Sequence, residues 1–283
     1  MGLFEMADEV QSDKYTRSDR MIMEFIEEHT EEFLFLSIGQ LSEQLSISEA
    51  TISRFARHMG YCDYKEMKSK IAEKFSGKGP ARKIAGTLMQ QFSAEGFDVN
   101  SWFALQEEYL AQTMEHLDLQ EFCRGVDSVQ KANKVYIHAK NASMAAAQLL
   151  YFRLRRFGIE VTMIPSGGSE VIEGIAHAGK GDLVILFCYA KVSREGKMIL
   201  DYAKEAGYQT LAFTSRLFAP SEERADINLY VYRGEKAQYH SMTSAITLID
   251  ALVLALSERM SAESAQKLVT IEKLKKKYSH SLS

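Results

Sequence analysis

Cysteine is scarce in this chain. Cys62, Cys123 and Cys188 are the three among 283 residues, odd in number and far apart. They make neither a disulfide framework nor a metal-ligand spacing, so the chain reads as a protein of a reducing, cytoplasmic compartment with no metal site. Long apolar runs are also missing. The richest stretch, Ala245 to Leu256, is broken by Asp250 and too short to span a bilayer, so it reads as a buried helix and no membrane is expected as a partner. Met1-Gly2-Leu3-Phe4 is followed by acidic residues, not by a basic segment and an apolar core, so no secretory leader is expected there. Gly2 and Asp8 lack the hydroxyl residue of a myristoylation signal. An excess of positive charge is absent as well: the net charge is −4, which argues against a protein that coats nucleic acid.

What is present is the composition of a globular protein, 46% hydrophobic and 25% charged, with room for about two domains. The stretch Ser37–Gly60 reads as two short helices joined by a tight turn. Ser37 and Gln40 have the spacing of a capping box, and Ile38, Leu41 and Leu45 fall on one face. Ser46-Ile47 connects, Ser48 caps the second helix, and Gly60 ends it. Ile52, Phe55 or Ala56, and Met59 form the inner face; Glu49, Ala50, Thr51, Ser53, Arg54 and Arg57 form the outer one. Small and hydroxyl residues at the N-terminal turn, followed by two arginines, suit a helix that enters a DNA major groove. A plain helical hairpin with solvated arginines fits the same spacing.

The charge distribution favours DNA. Up to residue 50, acidic residues far outnumber Lys14, Arg17 and Arg20; from 51 to 80, Arg54, Arg57, Lys65, Lys68, Lys70, Lys74 and Lys78 face only Asp63, Glu66 and Glu73. A local basic face is what phosphate contact requires. Residues 1–16 read as a polar arm. Ser18 is expected to cap a helix through about His29, and Asp63 with Glu66 another, with Met67, Ile71 and Phe75 inward. Ser76-Gly77-Lys78-Gly79-Pro80 reads as a break. Beyond it Ile84, Leu88 and Phe92 mark a helix, and 93–100 a turn.

From Ser101 two helical segments lead into an alternation of strands and helices. Strands are expected at 134–139, 160–164, 182–188, 209–214 and 226–231, and helices at 143–157, 169–177, 193–206 and 241–260. Apolar strand runs between helices indicate a parallel sheet covered on both faces. Ligands then sit beyond the carboxyl ends of the strands, here loops 139–143, 188–193 and 214–220. After Met260 a further helix carries Leu268, Ile271, Leu274 and Tyr278 as a stripe. Its basic cluster Lys273, Lys275, Lys276 and Lys277 reads as the solvated face of a helix that packs at a dimer interface, with extra DNA-backbone contact as the alternative.

The order of these parts, with SEATISRFARHMGY in the first, resembles the RpiR family of bacterial transcriptional regulators. That family joins a helix-turn-helix to a sugar isomerase (SIS) domain. The resemblance implies an α/β protein: an all-α helix-turn-helix domain (1–76), a linker with a helix (77–100), a three-layer α/β/α SIS domain with a parallel sheet (101–260) and a helical tail (261–283). It implies a homodimer or homotetramer bound to double-stranded operator DNA, regulating sugar or amino-sugar metabolism and sensing a phosphosugar or other anionic metabolite. No cofactor is implied.

The expected DNA contacts are Ser37, Ser48, Ala50, Thr51, Ser53, Arg54, Arg57, Lys65 and Lys68, with Thr51, Ser53 and Arg54 at or near bases and Ser37, Arg57, Lys65 and Lys68 at phosphates. The expected effector residues are Lys140, Asn141, Ser143, Cys188, Ala190, Lys191 and Ser193. The chain departs from the family's pattern there. The family's Gly-x-Gly-x-Ser turn reads Ala139-Lys140-Asn141-Ala142-Ser143, and its Ser-x-Ser-Gly-x-Thr reads Cys188-Tyr189-Ala190-Lys191-Val192-Ser193. Lys140 and Lys191 then either neutralise an anionic ligand or lie on the surface of a closed pocket, in which case the SIS domain serves dimerisation alone. A phosphosugar isomerase or lyase would draw on Glu170, Glu173, Glu195 or His240 as acid–base groups. With the phosphate cradle altered, no catalytic residue is assigned, and His138 and His240 read as structural.

Overall fold

The computed structural model describes residues 15–74, 80–91, 97–235, 238–259 and 262–281. The chain forms two compact units, residues 1–107 with 234–240, and residues 108–233 with 241–283.

The first unit opens with five helices: α1 (Arg17–Glu28), α2 (Thr30–Phe33), α3 (Ile38–Leu45), α4 (Glu49–His58) and α5 (Tyr64–Lys74). The cap of α1 is Thr16 and not Ser18: Thr16 Oγ1 accepts the Asp19 N–H, and Asp19 Oδ2 accepts the Thr16 N–H. Asp19 is the reason. It supplies the returning carboxylate of a capping box, which Ser18 would lack. The short α2 has no counterpart in the sequence reading; one turn shows no periodicity. Ser37 and Gln40 close a second capping box on α3. Ser46 ends α3 in the left-handed region at φ 55°, and Gly60 follows α4 at φ 85°, a conformation that costs glycine least. Ile22, Ile26, Phe33, Leu41, Ile52, Phe55, Ala56, Met67 and Ile71 are fully buried and form one core.

α6 (Pro80–Gln91) joins that core through Ala85, which is fully buried, whereas Ile84 is 39% exposed. The helix expected within a linker is thus part of the first unit, and it turns Ala85 and Thr87 inward instead of the Ile84 face. α7 (Val99–His116) runs through the boundary at residue 107, so the division falls later than residue 100. The polar arm up to Lys14, Phe75, the break at 76–79, Phe92, the turn at 93–96 and Met260 lie outside the described residues.

The second unit holds α8 (Leu119–Lys131) and a parallel sheet of β1 (Val135–His138), β2 (Val161–Ile164), β3 (Leu183–Phe187), β4 (Gln209–Thr214) and β5 (Ile227–Tyr230), ordered β2-β1-β3-β4-β5. α9 (Ser143–Arg156), α10 (Glu170–Ile175), α11 (Arg194–Ala206) and α12 (Thr243–Glu258) cover it. Ile137, Ile185, Phe187, Leu211, Phe213 and Leu229 pack with residues of α8, α9 and α12, while Tyr136, Val184, Leu186 and Ala212 pack with those of α10 and α11. Burial on both faces explains the unbroken apolar run of β3. Phe187 and Phe213, paired across β3 and β4, stack with ring centroids 4.7 Å apart. Asp226 pins the start of β5, its Oδ2 accepting the Thr210 N–H at 2.8 Å and the Thr210 hydroxyl at 2.7 Å. Gly125 of α8 lies where a Cβ would stand 3.1 Å from Leu211 Cδ1, so at this close helix–sheet approach even a methyl group would require the Leu211 side chain to give way slightly. α13 (Ala262–Tyr278) half-buries Leu268 and Ile271 but leaves Leu274 and Tyr278 exposed. No helix among the described residues is long and apolar enough to cross a membrane.

The first core is small, so each large side chain carries much of its stability. Phe55→Ala is expected to cost about 3–5 kcal/mol. In urea unfolding of the full chain followed by circular dichroism, the transition of the first unit should move to lower denaturant and that of the second should stay in place.

Candidate nucleic-acid interface and effector site

In the first unit the residues expected at DNA gather on the outer face of α4. Ser48 caps the helix, its Oγ accepting the Thr51 N–H at 3.2 Å. The same Oγ lies 2.9 Å from Thr51 Oγ1, which accepts a hydrogen bond from Arg54 Nη2 at 3.3 Å. Ser48, Thr51 and Arg54 therefore form one polar row from the cap to the middle of the helix. Ala50, Arg54 and Arg57 are exposed, Ser53 is half-buried beside them, and Lys65 is exposed on α5. The inner residues Ile52, Phe55 and Ala56 are sealed in the core, so the helix presents one fixed face. Ser37 stands half-buried at the start of α3, its hydroxyl holding the Gln40 N–H.

Lys68, expected at a phosphate, is turned inward. Its Nζ donates to the Leu36 carbonyl at 2.7 Å and lies 5.7 Å from the centre of the Tyr64 ring. The Tyr64 hydroxyl donates to the same carbonyl at 3.1 Å. Burial pushes the Lys68 ammonium down to about 8. Two side chains of α5 thus hold the residue that precedes Ser37, and Lys68 sets the position of the start of α3.

In the second unit the order β2-β1-β3 places the switch point between β1 and β3, where in sheets of this topology the connections diverge and a crevice forms at the carboxyl ends. The loops after these strands are 139–142 and 188–193. Asn141 takes the left-handed conformation at φ 53° that a glycine would supply. Lys191 does not; among the described residues the non-glycine positions with positive φ are Ser46 and Asn141. Lys140 Nζ forms an ion pair with Glu195 Oε1 at 2.8 Å, beside Gly167. The Lys140 hydrogen bond is the main reason that the Glu195 carboxyl is held down to about 2. Glu195 sits in the first turn of α11, where the helix dipole favours negative charge, and Ser193 caps that helix on the Gly196 N–H. Ser143 is buried in the first turn of α9; Ala190 and Lys191 are exposed. His138, 4% exposed at the end of β1, has neither ring nitrogen in a hydrogen bond, and burial pushes its pKa down. The structure therefore brings Lys140, Ser193 and Glu195 together, but with Lys140 already partnered.

Cys188 lies apart from that pair. Its thiol, pushed up to about 11 by burial, lines a cavity of about 180 Å³ with Thr214, Arg216, Glu223, Asn228 and Tyr230. Residues alternate across a strand, so Cys188 and its neighbour Tyr189 face opposite sides of the sheet. Glu170 and Glu173 are exposed on α10, and His240, in the first unit, lies 3.1 Å from Lys83 Nζ through Nδ1.

Sequence reasoning missed Tyr189 and Arg233. Tyr189, 6% exposed, carries the Arg233 guanidinium 4.1 Å from its ring centre. A desolvated contact of this kind contributes about 2 kcal/mol. The only signal in the chain is an arginine followed by Gly234 just beyond an apolar strand.

A helix-turn-helix domain model of the rpiR family matches residues 4–78, and a SIS domain model matches residues 128–256. A helix-turn-helix-type transcriptional regulator of Caldanaerobacter subterraneus subsp. tengcongensis is 25% identical over 253 residues, 88% of this chain and 88% of that protein. The Vibrio vulnificus NanR protein, complexed with ManNAc-6P, has a similar fold over 93% of this chain and 94% of its own, with a TM-score of 0.57 and 20% identity. The sugar isomerase domain of an RpiR transcription factor from Sphaerobacter thermophilus matches 60% of this chain and 96% of its own, with a TM-score of 0.56 and 23% identity.

The inward Lys68 has a measurable consequence. Its ammonium is depressed from an ordinary 10.5 to about 8, so between those values the unfolded chain holds the extra proton. The burial cost is complete below pH 8, and this group's contribution to stability rises as pH climbs above it. Comparing urea midpoints at about pH 7.5 and about pH 9.5, the parent should gain on Lys68→Met as pH rises. A parent–variant difference that ignores pH would put the ammonium in water.

Proposed function

The chain belongs to the RpiR family of transcriptional regulators, and from that premise we propose that it reads an operator with α4 and senses an anionic metabolite at the β1/β3 switch point. The observation that carries the first half is the polar row Ser48–Thr51–Arg54 on the exposed face of α4, with Arg57 on the same face and the apolar side sealed in the core. Thr51, Ser53 and Arg54 read base edges, with Ser48 and Ala50 close to them at the start of the helix. Ser37, Arg57 and Lys65 hold phosphates. Two copies of the chain, joined through their second units, set two such helices on a pseudo-palindromic site.

The second half rests on the ion pair at the switch point. Its side chains are 36% and 23% exposed, within reach of a ligand in the crevice. A phosphate competes with the Glu195 carboxylate for Lys140, with Lys191 as a second cation and Ser143 as a hydroxyl donor. Glu195, once released, accepts hydrogen bonds from sugar hydroxyl or amide groups. The ManNAc-6P bound by NanR makes phosphorylated amino sugars the first class to try. The chain then works as a sensor and regulator, without turnover of the sugar. The intact Lys140–Glu195 pair favours a second reading, a closed pocket in which the domain serves dimerisation only.

Selection of random duplexes with the purified protein, at one fixed salt concentration, should return a palindromic motif. On that motif Arg54→Ala is expected to lose about 1–3 kcal/mol of specific binding. Arg57→Ala should weaken all duplexes alike and lower the salt slope by about one ion. Parent-like binding by Arg54→Ala would move the reading face elsewhere.

Calorimetric titration with phosphorylated amino sugars and with inorganic phosphate tests the sensor. Binding that Lys140→Met abolishes supports it. No heat with any of these, from the parent or from Glu195→Gln, supports the dimerisation reading.

A further inference from the structure

We propose that His138 is a ligand-contact residue at the floor of the switch-point crevice, where its ring pairs with a hydroxyl or amide of a phosphorylated sugar once the Lys140–Glu195 pair has opened. The proposal rests on the sensor reading and deepens it, in that it adds the group that tells the sugar from its phosphate.

The sheet fixes where the ring sits. β1 lies between β2 and β3, and His138 is its last residue. In register with it stand Ile164 on β2 and Leu186 on β3. Both belong to the core formed with α10 and α11, as does Tyr136, two residues earlier on β1 and therefore on the same face as His138. The paired side chains on either side are thus apolar and offer the ring nothing. His138 is 4% exposed, and neither Nδ1 nor Nε2 has a hydrogen-bond partner among the described residues.

Polar groups reach the ring only from the carboxyl edge. Burial is the main influence on it and pushes its pKa down. The Glu195 carboxylate and the Pro165 carbonyl favour the charged ring, and the Lys140 ammonium opposes it, but the carbonyl stands outside hydrogen-bond geometry. Three segments therefore meet here: the loop after β1, the loop after β2 and the first turn of α11. Gly167 brings the second of them onto the ion pair, since a Cβ there would stand 3.5 Å from Glu195 Oε1 and 3.9 Å from Lys140 Nζ. The side chains of the pair are 36% and 23% exposed, so the pair is the outer layer of the site and the ring the inner one.

A buried polar group without a partner costs stability that an apolar residue in its place would not. At the end of β1 that cost is borne beside two apolar neighbours, which calls for a use. A neutral imidazole presents one donor and one acceptor. That set matches a hydroxyl or an amide and brings no charge to a phosphate, for which Lys140 and Lys191 are at hand. A buried group of this kind discriminates against any ligand that leaves it unpaired.

Urea unfolding and calorimetric titration of the full chain test this together. His138→Leu should unfold the second unit at or above the parent midpoint, because it removes a polar group that lacks a partner. It should bind glucosamine 6-phosphate and its N-acetyl derivative about 10-fold more weakly than the parent, and inorganic phosphate as the parent does. His138→Gln, which keeps a donor and an acceptor, should stay within about 3-fold of the parent for the sugar phosphates. Parent-like binding of the sugar phosphates by His138→Leu overturns the proposal and leaves the sensor reading standing. If His138→Leu lowers the midpoint, the ring-nitrogen resonances of histidine-labelled parent decide. A His138 signal that moves with sugar phosphate and stays in place with inorganic phosphate upholds the contact, and one that does not move overturns it. A parent that binds no sugar phosphate removes the sensor reading and this contact with it.

Discussion

A parallel sheet covered by helices on both faces leaves its carboxyl edge as the place where polar chemistry can gather. Every side chain of β3 is buried, and so is every side chain of β1. The strand order opens that edge between β1 and β3, which is why Lys140, Ser193 and Glu195 converge there from segments distant in sequence. The pleat then sorts the residues that follow β3. Tyr189 goes to one core and Cys188 to the other, so two neighbours in the chain serve different parts of the molecule.

The ion pair at the switch point is a compromise between charge and solvent. It is partly exposed, so its direct contribution to stability is modest. Its effect on the site is larger. Glu195 at the first turn of α11 occupies the favourable end of the helix dipole with the protein's own carboxylate. On the proposed reading, a ligand phosphate would gain Lys140 only by displacing that carboxylate, and selectivity would then depend on what the ligand offers Glu195 in return.

The reading head follows a different logic. It is a compact core of aliphatic and aromatic side chains whose task is to hold α3 and α4 in register. Lys68 and Tyr64 share the Leu36 carbonyl, the Thr16–Asp19 box starts α1, and Asp19 also lies 3.3 Å from His58 at the end of α4. These contacts leave the outer face of α4 free of structural duty apart from its own row of hydroxyls and Arg54.

Much of this was legible along the chain. Local capping chemistry marks Ser37, Ser48 and Asp63, and helical spacing marks Ile52, Phe55 and Met67, because both depend on neighbours within one or two turns. The apolar runs announce a doubly covered parallel sheet and hence where its ligands sit. Tertiary structure alone decided the rest. Lys68 looks like a surface cation by spacing, yet it lies against Leu36, far away in sequence. Lys140 looks like a spare charge until the fold brings Glu195 to it across 55 residues. The place of α6 in the first core, the division of Cys188 from Tyr189, and the stacking of Arg233 on that ring all need three-dimensional neighbours. Sequence periodicity reports which face of an element is apolar; it carries no record of which distant polar group that element will meet.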